Sequence, residues 1–403
     1  AAEGASAATH DKPVSRGTTA CAPGGATLGL SVAPRDPRLS RVSLRCLLPR
    51  KLLAAGFFIP LRHGARLLSV LALAWFGHAA CAAPQVAEPG AGAEQSAAAA
   101  ARDVAQWIER VRAAPCMRPY TGTFVVLSAS GAMASSRIWH VCEGAQQLER
   151  LEALTGTPRT VFRRDSEVRT FLPQSKVVRT EQREASGVFP RVPVVSGAVI
   201  GSFYSARFIG QERVAGLVAD VVLFKPKDTL RFGYRLWSER DTGLVVKLQT
   251  LGGDGRVLEQ AAFSELDMSA PVRADQLSRM MDATDGYKSV SPALTKTTAQ
   301  AEGWQLRQQI AGFVPVSCHR RVVSQDEQGQ TVLQCLYSDG LASVSLFLET
   351  YDPQRHPAQA QVSGIGATQM LAQRLLPDMW VTAVGEVPLQ TLRLFAGQLE
   401  RVR

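Results

Sequence analysis

The chain has 403 residues, 46% apolar and 20% charged, which is room for two packed domains and excludes wholesale disorder. The formal charge of +10 is uneven: residues 1–83 hold ten Lys/Arg against three acids, so the other 320 residues carry 35 basic and 32 acidic groups. A nucleic-acid groove needs its charge on the folded domain, so this balance argues against such a partner.

Residues 1–60 are rich in Ala, Gly, Pro and Arg without periodicity. They read as unstructured or as an over-extended reading frame. Residues 61–82 read as a signal peptide. Arg62, His63 and Arg66 precede the apolar run Leu67–Gly77, and small Ala80 and Ala82 place cleavage between Ala82 and Ala83. The run is about half the ~20 residues that cross a bilayer. A lipidation box at Cys81 is the rival, with His78 where an aliphatic residue belongs. Either way the chain is exported. Residues 83–100 read as a flexible arm.

Cys116, Cys142, Cys318 and Cys335 remain after the leader, an even number for an oxidising compartment. Cys318 and Cys335 are mirror-placed about Asp326-Glu327, so a hairpin over 313–336 sets them across two strands at bridging distance. Cys116 and Cys142 flank an earlier hairpin and are the second candidate pair. Free buried thiols are the alternative for both. No CxxC occurs, which argues against a zinc or redox motif.

Val104, Trp107, Ile108 and Val111 form one apolar helical stripe, ended by Pro115. The period then falls to two. Strands are expected at 121–128, 136–142, 146–153, 160–164, 168–172 and 176–181. They resume at 208–214, 219–226, 231–239, 243–251 and 257–266, with Phe203 to Phe208 as a helical turn. About eleven antiparallel strands with few helices predict a large unclosed barrel over 101–270. Residues 271–300 read as a linker containing a short helix, Ala274–Met281. Residues 301–403 read as a smaller antiparallel sheet domain, with 364–374 as one strand. A C-terminal helix is expected to pack on it, with Pro388 as first residue and Leu389, Leu392, Phe395 and Leu399 as its stripe. The fold class is mainly β (α+β).

Catalytic patterns are missing: no GxSxG, HExxH, GxxxxGK[ST] or strand-following GxGxxG. His140 lies mid-strand and reads as a structural histidine; Glu239-Arg240-Asp241 reads as a solvated turn. No enzyme activity, metal or cofactor is implied. An open curled sheet buries its concave face only under helices, a ligand or a peptide. Phe124, Val126, Ile138, Phe171, Phe203, Val221, Leu223, Phe232, Tyr234, Leu236 and Phe263 are the candidate lining of an apolar cavity. Ordinary core is the alternative for each.

Several segments resemble the RseB/MucB family: SSRIWHVCEGAQQLERLEALTG, VFRRDSEVRTFLPQSKVVRTEQRE, LRFGYRLWSERDTGLVVKLQTLGGDGRVLEQAAFSEL, SDGLASVSLFLE and WVTAVGEVP. They run in order over about residues 100–400. Trp139, His140, Arg231, Tyr234, Trp237 and Lys247 lie within them. The resemblance implies a periplasmic negative regulator of the envelope-stress sigma factor. Its large domain would resemble LolA-type lipoprotein carriers. It would bind the periplasmic segment of a membrane-spanning anti-sigma factor and shield it from regulated proteolysis. Acyl chains of mislocalised lipoprotein or lipopolysaccharide would be sensed, and the protein would self-associate as a homodimer or larger. A periplasmic lipid or lipoprotein carrier is the alternative.

Overall fold

The computed structural model describes residues 91–182, 197–291, 294–322 and 331–402. The leader and its cleavage site lie outside them. Helix α1 (Ala91–Ala101) occupies part of the stretch expected to be an arm. Its sequence, AGAEQSAAAAA, has high helix propensity but no apolar stripe, so periodicity could not reveal it. Helix α2 (Val104–Ala113) opens on a capping box: Asp103 Oδ1 accepts from the Gln106 amide at 2.9 Å, and Gln106 Oε1 accepts from the Asp103 amide at 3.0 Å.

Eleven strands follow in chain order. They are β1 (Tyr120–Ser128), β2 (Met133–Glu143), β3 (Gln146–Ala153), β4 (Thr160–Arg164), β5 (Glu167–Leu172), β6 (Val177–Gln182), β7 (Tyr204–Val214), β8 (Leu217–Pro226), β9 (Gly233–Glu239), β10 (Val245–Leu251) and β11 (Val257–Asp267). A helix, α3 (Gly197–Phe203), precedes β7. The turn expected at 203–208 is therefore displaced: helix ends at Phe203 and strand begins at Tyr204. Helix α4 (Ala274–Asp282) leads to β12 (Lys288–Val290), which pairs parallel with β6. The sheet order is β12-β6-β5-β4-β3-β2-β1-β11-β10-β9-β8-β7. Its two edges, β12 and β7, are not joined, so the barrel is unclosed. The parallel β12 makes the sheet mixed rather than purely antiparallel.

The second sheet orders as β13 (Leu294–Thr297), β15 (Val314–Val322), β16 (Thr331–Ser338), β17 (Ser343–Thr350), β20 (Met379–Gly385), β19 (Thr368–Leu376) and β18 (Gln361–Ile365). The single strand expected at 364–374 is a hairpin, because Gly366 takes a positive φ of 60° between β18 and β19. Helix α5 (Leu389–Gln398) packs on β19 and β20. Pro388 sits just before its first residue rather than at it. Leu399, read as part of the helical stripe, opens β21 (Leu399–Arg401), which pairs with β14 (Trp304–Leu306). Phe313, Tyr337, Leu346, Leu392 and Phe395 share the core of this domain. Among the described residues, no helix is long and apolar enough to cross a membrane.

Candidate functional site

Helices close over the large sheet at two places. The α2 stripe of Val104, Trp107, Ile108 and Val111 packs on Val222, Phe224, Tyr234, Leu236 and Val245, with Ile200 of α3 beside it. Helix α4 covers the other side of the sheet: Leu277 meets Val141 and Leu148, while Met281 meets Phe162, Phe171 and Val178.

The candidate cavity residues divide among three packed clusters. Phe124, Ile138, Val221 and Phe263 are buried together with Val126 against them. Tyr234 and Leu236 lie under α2, with Phe203 packed on the same cluster. Phe171 belongs to the α4 cluster. Leu223 is half-buried and Phe232 buried, outside all three. A strand's period of two assigns a residue to a face, but not to the helix that covers it.

A different cleft, of about 220 Å³, opens between β1–β3 and the approach to α4. Trp139 and Arg150 form one wall, and Val272, Leu277 and Met280 the other. The Arg150 guanidinium lies 4.3 Å from the Trp139 ring centroid and pairs with Glu152 at 2.8 Å. Of its lining, the sequence pointed only to Trp139. The α4 face carried no motif to find it by.

The motif residue Arg231 sits where the two sheets meet. Its side chain is fully buried, stacked between the rings of Phe203 (4.4 Å) and Phe313 (4.9 Å). It donates to Asp339, Asp228 and the Ala311 carbonyl. Asp339 Oδ1 in turn accepts from the amides of Leu341 (2.9 Å) and Ala342 (2.7 Å). Tyr204 donates to Asp339 at 3.4 Å; burial pushes the Tyr204 and Tyr234 hydroxyls well above the usual range, so both stay neutral. Further contacts join the domains. Arg321 pairs with Glu181 at 3.1 Å, and Thr391 Oγ1 donates to the Leu230 carbonyl at 2.8 Å.

Two other motif residues, Trp237 and Lys247, lie against each other. Trp237 Nε1 donates to Glu212 at 2.8 Å, and Lys247 Nζ lies 4.1 Å from the Trp237 ring. Glu239 corrects an expectation: it is buried, not solvated. Its carboxylate accepts from the amides of Asp241 and Thr242 and holds that turn.

Both expected cysteine pairs are joined. Cys318 and Cys335 are direct register partners on β15 and β16, with Cα atoms 4.1 Å apart. Cys116, ending a 3₁₀ turn (Ala114–Cys116) after α2, bonds Cys142 on β2 across 5.2 Å. Cys116, Cys142 and His140 have ligand atoms within 4.8 Å of one another, the one metal-like grouping among the described residues, but both sulfurs are engaged in the disulfide.

The MucB/RseB N-terminal domain model matches residues 103–281, and the MucB/RseB C-terminal domain model matches residues 298–400. The chain belongs to the MucB/RseB family. The sigma factor AlgU regulatory protein MucB of Pseudomonas aeruginosa is 32% identical over 301 residues, covering 72% of this chain and 89% of that protein. The sigma-E factor regulatory protein RseB of Haemophilus influenzae is 23% identical over 270 residues, 66% of this chain and 82% of that one. The solved complex of Pseudomonas aeruginosa MucA and MucB holds a chain similar in fold at a TM-score of 0.58 and 28% identity, covering 74% of this chain and 99% of that chain.

Proposed function

We propose that this protein is a periplasmic, non-enzymatic regulator that binds the periplasmic segment of a single-span anti-sigma factor of the RseA/MucA type. The observation that carries the reading is the match over both domains, in order, to a MucB solved together with MucA. Bound, the segment is covered and withheld from regulated proteolysis. The acyl chains of mislocalised lipoprotein or lipopolysaccharide release it by favouring the unbound state, and the free protein self-associates.

Such a ligand acts only through its differential affinity for the two states. A coupling of about 1–3 kcal/mol changes occupancy some 5–150-fold. The buried contact at Arg231, which joins the two domains, supports a binding surface that spans both. A pull-down from periplasm and solubilised inner membrane with the mature chain tests the reading. Recovery of a single-span anti-sigma protein, displaced by a triacylated lipopeptide, is expected. Its absence from the eluate overturns the partner; recovery that lipopeptide leaves unchanged overturns the sensing.

A further inference from the structure

The Cys116–Cys142 disulfide lies in surroundings unlike those of Cys318–Cys335. Cys318 and Cys335 are both buried, at 5% and 1% exposure. Cys116 is exposed, and Gln147 Nε2 donates to its sulfur at 3.5 Å. Cys142, half-buried, has its Sγ 3.5 Å from His140 Nε2. His140 is fully buried and stacked on Tyr120 with ring centroids 4.9 Å apart. Its other nitrogen, Nδ1, donates to Glu149 Oε1 at 3.2 Å. Glu149 is itself buried, and its Oε2 has no hydrogen-bond partner among the described residues. A buried carboxylate oxygen left unsatisfied is costly and asks for a reason beyond packing. Burial and the Glu149 charge push the Tyr120 hydroxyl well above its usual range, so that neighbour stays neutral.

We propose that Cys116–Cys142 is a thiol–disulfide exchange site whose substrate is a dithiol reductant, with His140 as the proton carrier and Glu149 as the residue that positions it. One thiolate of the dithiol attacks the exposed Cys116 Sγ. The proton the attacking thiol gives up on ionising is held at His140 Nε2, whose Nδ1–H is tied to Glu149; the Cys116–Cys142 bond breaks, its electron pair leaves on Cys142 Sγ, and that sulfur takes the proton from Nε2. The second thiol of the dithiol then attacks its own sulfur in the mixed disulfide and releases Cys116 as a thiol. The protein disulfide gains two electrons and two protons; the dithiol loses both and closes to its cyclic disulfide. Attack falls on Cys116 because it is the accessible sulfur, and the leaving sulfur is the one beside the imidazole. Reduction unties the end of α2 from β2.

The test is reduction of the mature, folded chain by dithiothreitol without denaturant. Quenched samples are alkylated and each cysteine pair is quantified by peptide mass spectrometry across pH 5–8. Cys116–Cys142 is expected to open while Cys318–Cys335 stays oxidised. His140→Gln should slow that opening by about 100-fold, the lower end of what a positioned acid contributes. Glu149→Gln, which keeps a hydrogen-bonding side chain beside Nδ1, should displace the pH profile of the rate. Wild-type protein needs no variant to fold: if both disulfides open together, the proposal fails. It fails also if a folded Glu149→Gln chain retains the wild-type rate and pH profile.

Discussion

Arg231 and Asp339 form an ion pair with no solvent-exposed side-chain surface; Arg231 lies just before β9 of the large sheet and Asp339 just after β16 of the second. Removing one partner of such a pair leaves the other charge buried and uncompensated. Arg231→Ala is therefore expected to cost about 3–5 kcal/mol in urea unfolding. The two domains should then unfold in separate transitions where the wild-type chain shows one.

Glu259 on β11 is half-buried, accepts from the Ala367 amide of the other domain, and feels the charge of Glu386. Burial first, then Glu386, raises its carboxyl above the usual value of 4.5. The folded state thus holds a proton that the unfolded chain releases. That contribution to stability is complete below pH 4.5 and disappears as pH rises through the raised value. Glu259→Gln should raise Tm at pH 7 and leave it unchanged at pH 4, as read by calorimetry. An equal effect at both would contradict the assignment.

Gly122 is where β1 approaches β11 closely. A Cβ there would lie 2.6 Å from the Glu265 carbonyl oxygen and 2.8 Å from the Phe263 ring. Backbone cannot step aside as a flexible side chain can. Gly122→Ala is expected to destabilise by about 1–3 kcal/mol, measured by chemical denaturation.

The Cys318–Cys335 disulfide links residues 17 apart in sequence. In the chain-entropy account, a loop of this size is worth about 3 kcal/mol. The double change Cys318→Ala and Cys335→Ala should lower the free energy of unfolding by that amount, read from urea denaturation without reductant.

Regular alternation made most of this architecture legible. Strands β1–β6 follow from period-two runs punctuated by Gly, Pro and Asp, and Cys318 opposite Cys335 follows from hairpin symmetry. The misses share a cause: too little pattern. Lys288–Val290 is exposed at two of its three positions, so nothing in it alternates, and β12 reads as linker. Gly366 turns the chain inside what looked like one strand. The apolar residues of the large sheet were found, yet their partition beneath α2 and α4 depends on tertiary contacts that no local run encodes. Arg231 came to notice through resemblance alone. Nothing nearby in sequence announces Asp339, 108 positions away.

The three residues of β12 lie alongside β6 at what would otherwise be a raw margin of the large sheet. The passage from one domain to the next is thus also a hem. Margins left bare recruit strands from neighbouring molecules. A fragment ending at Asp282 keeps α4 but loses that hem, and light scattering should find it growing into aggregates at concentrations where the whole chain stays dispersed. Severing the two halves anywhere before Lys288 would therefore expose the first half to its own copies, whatever becomes of the second.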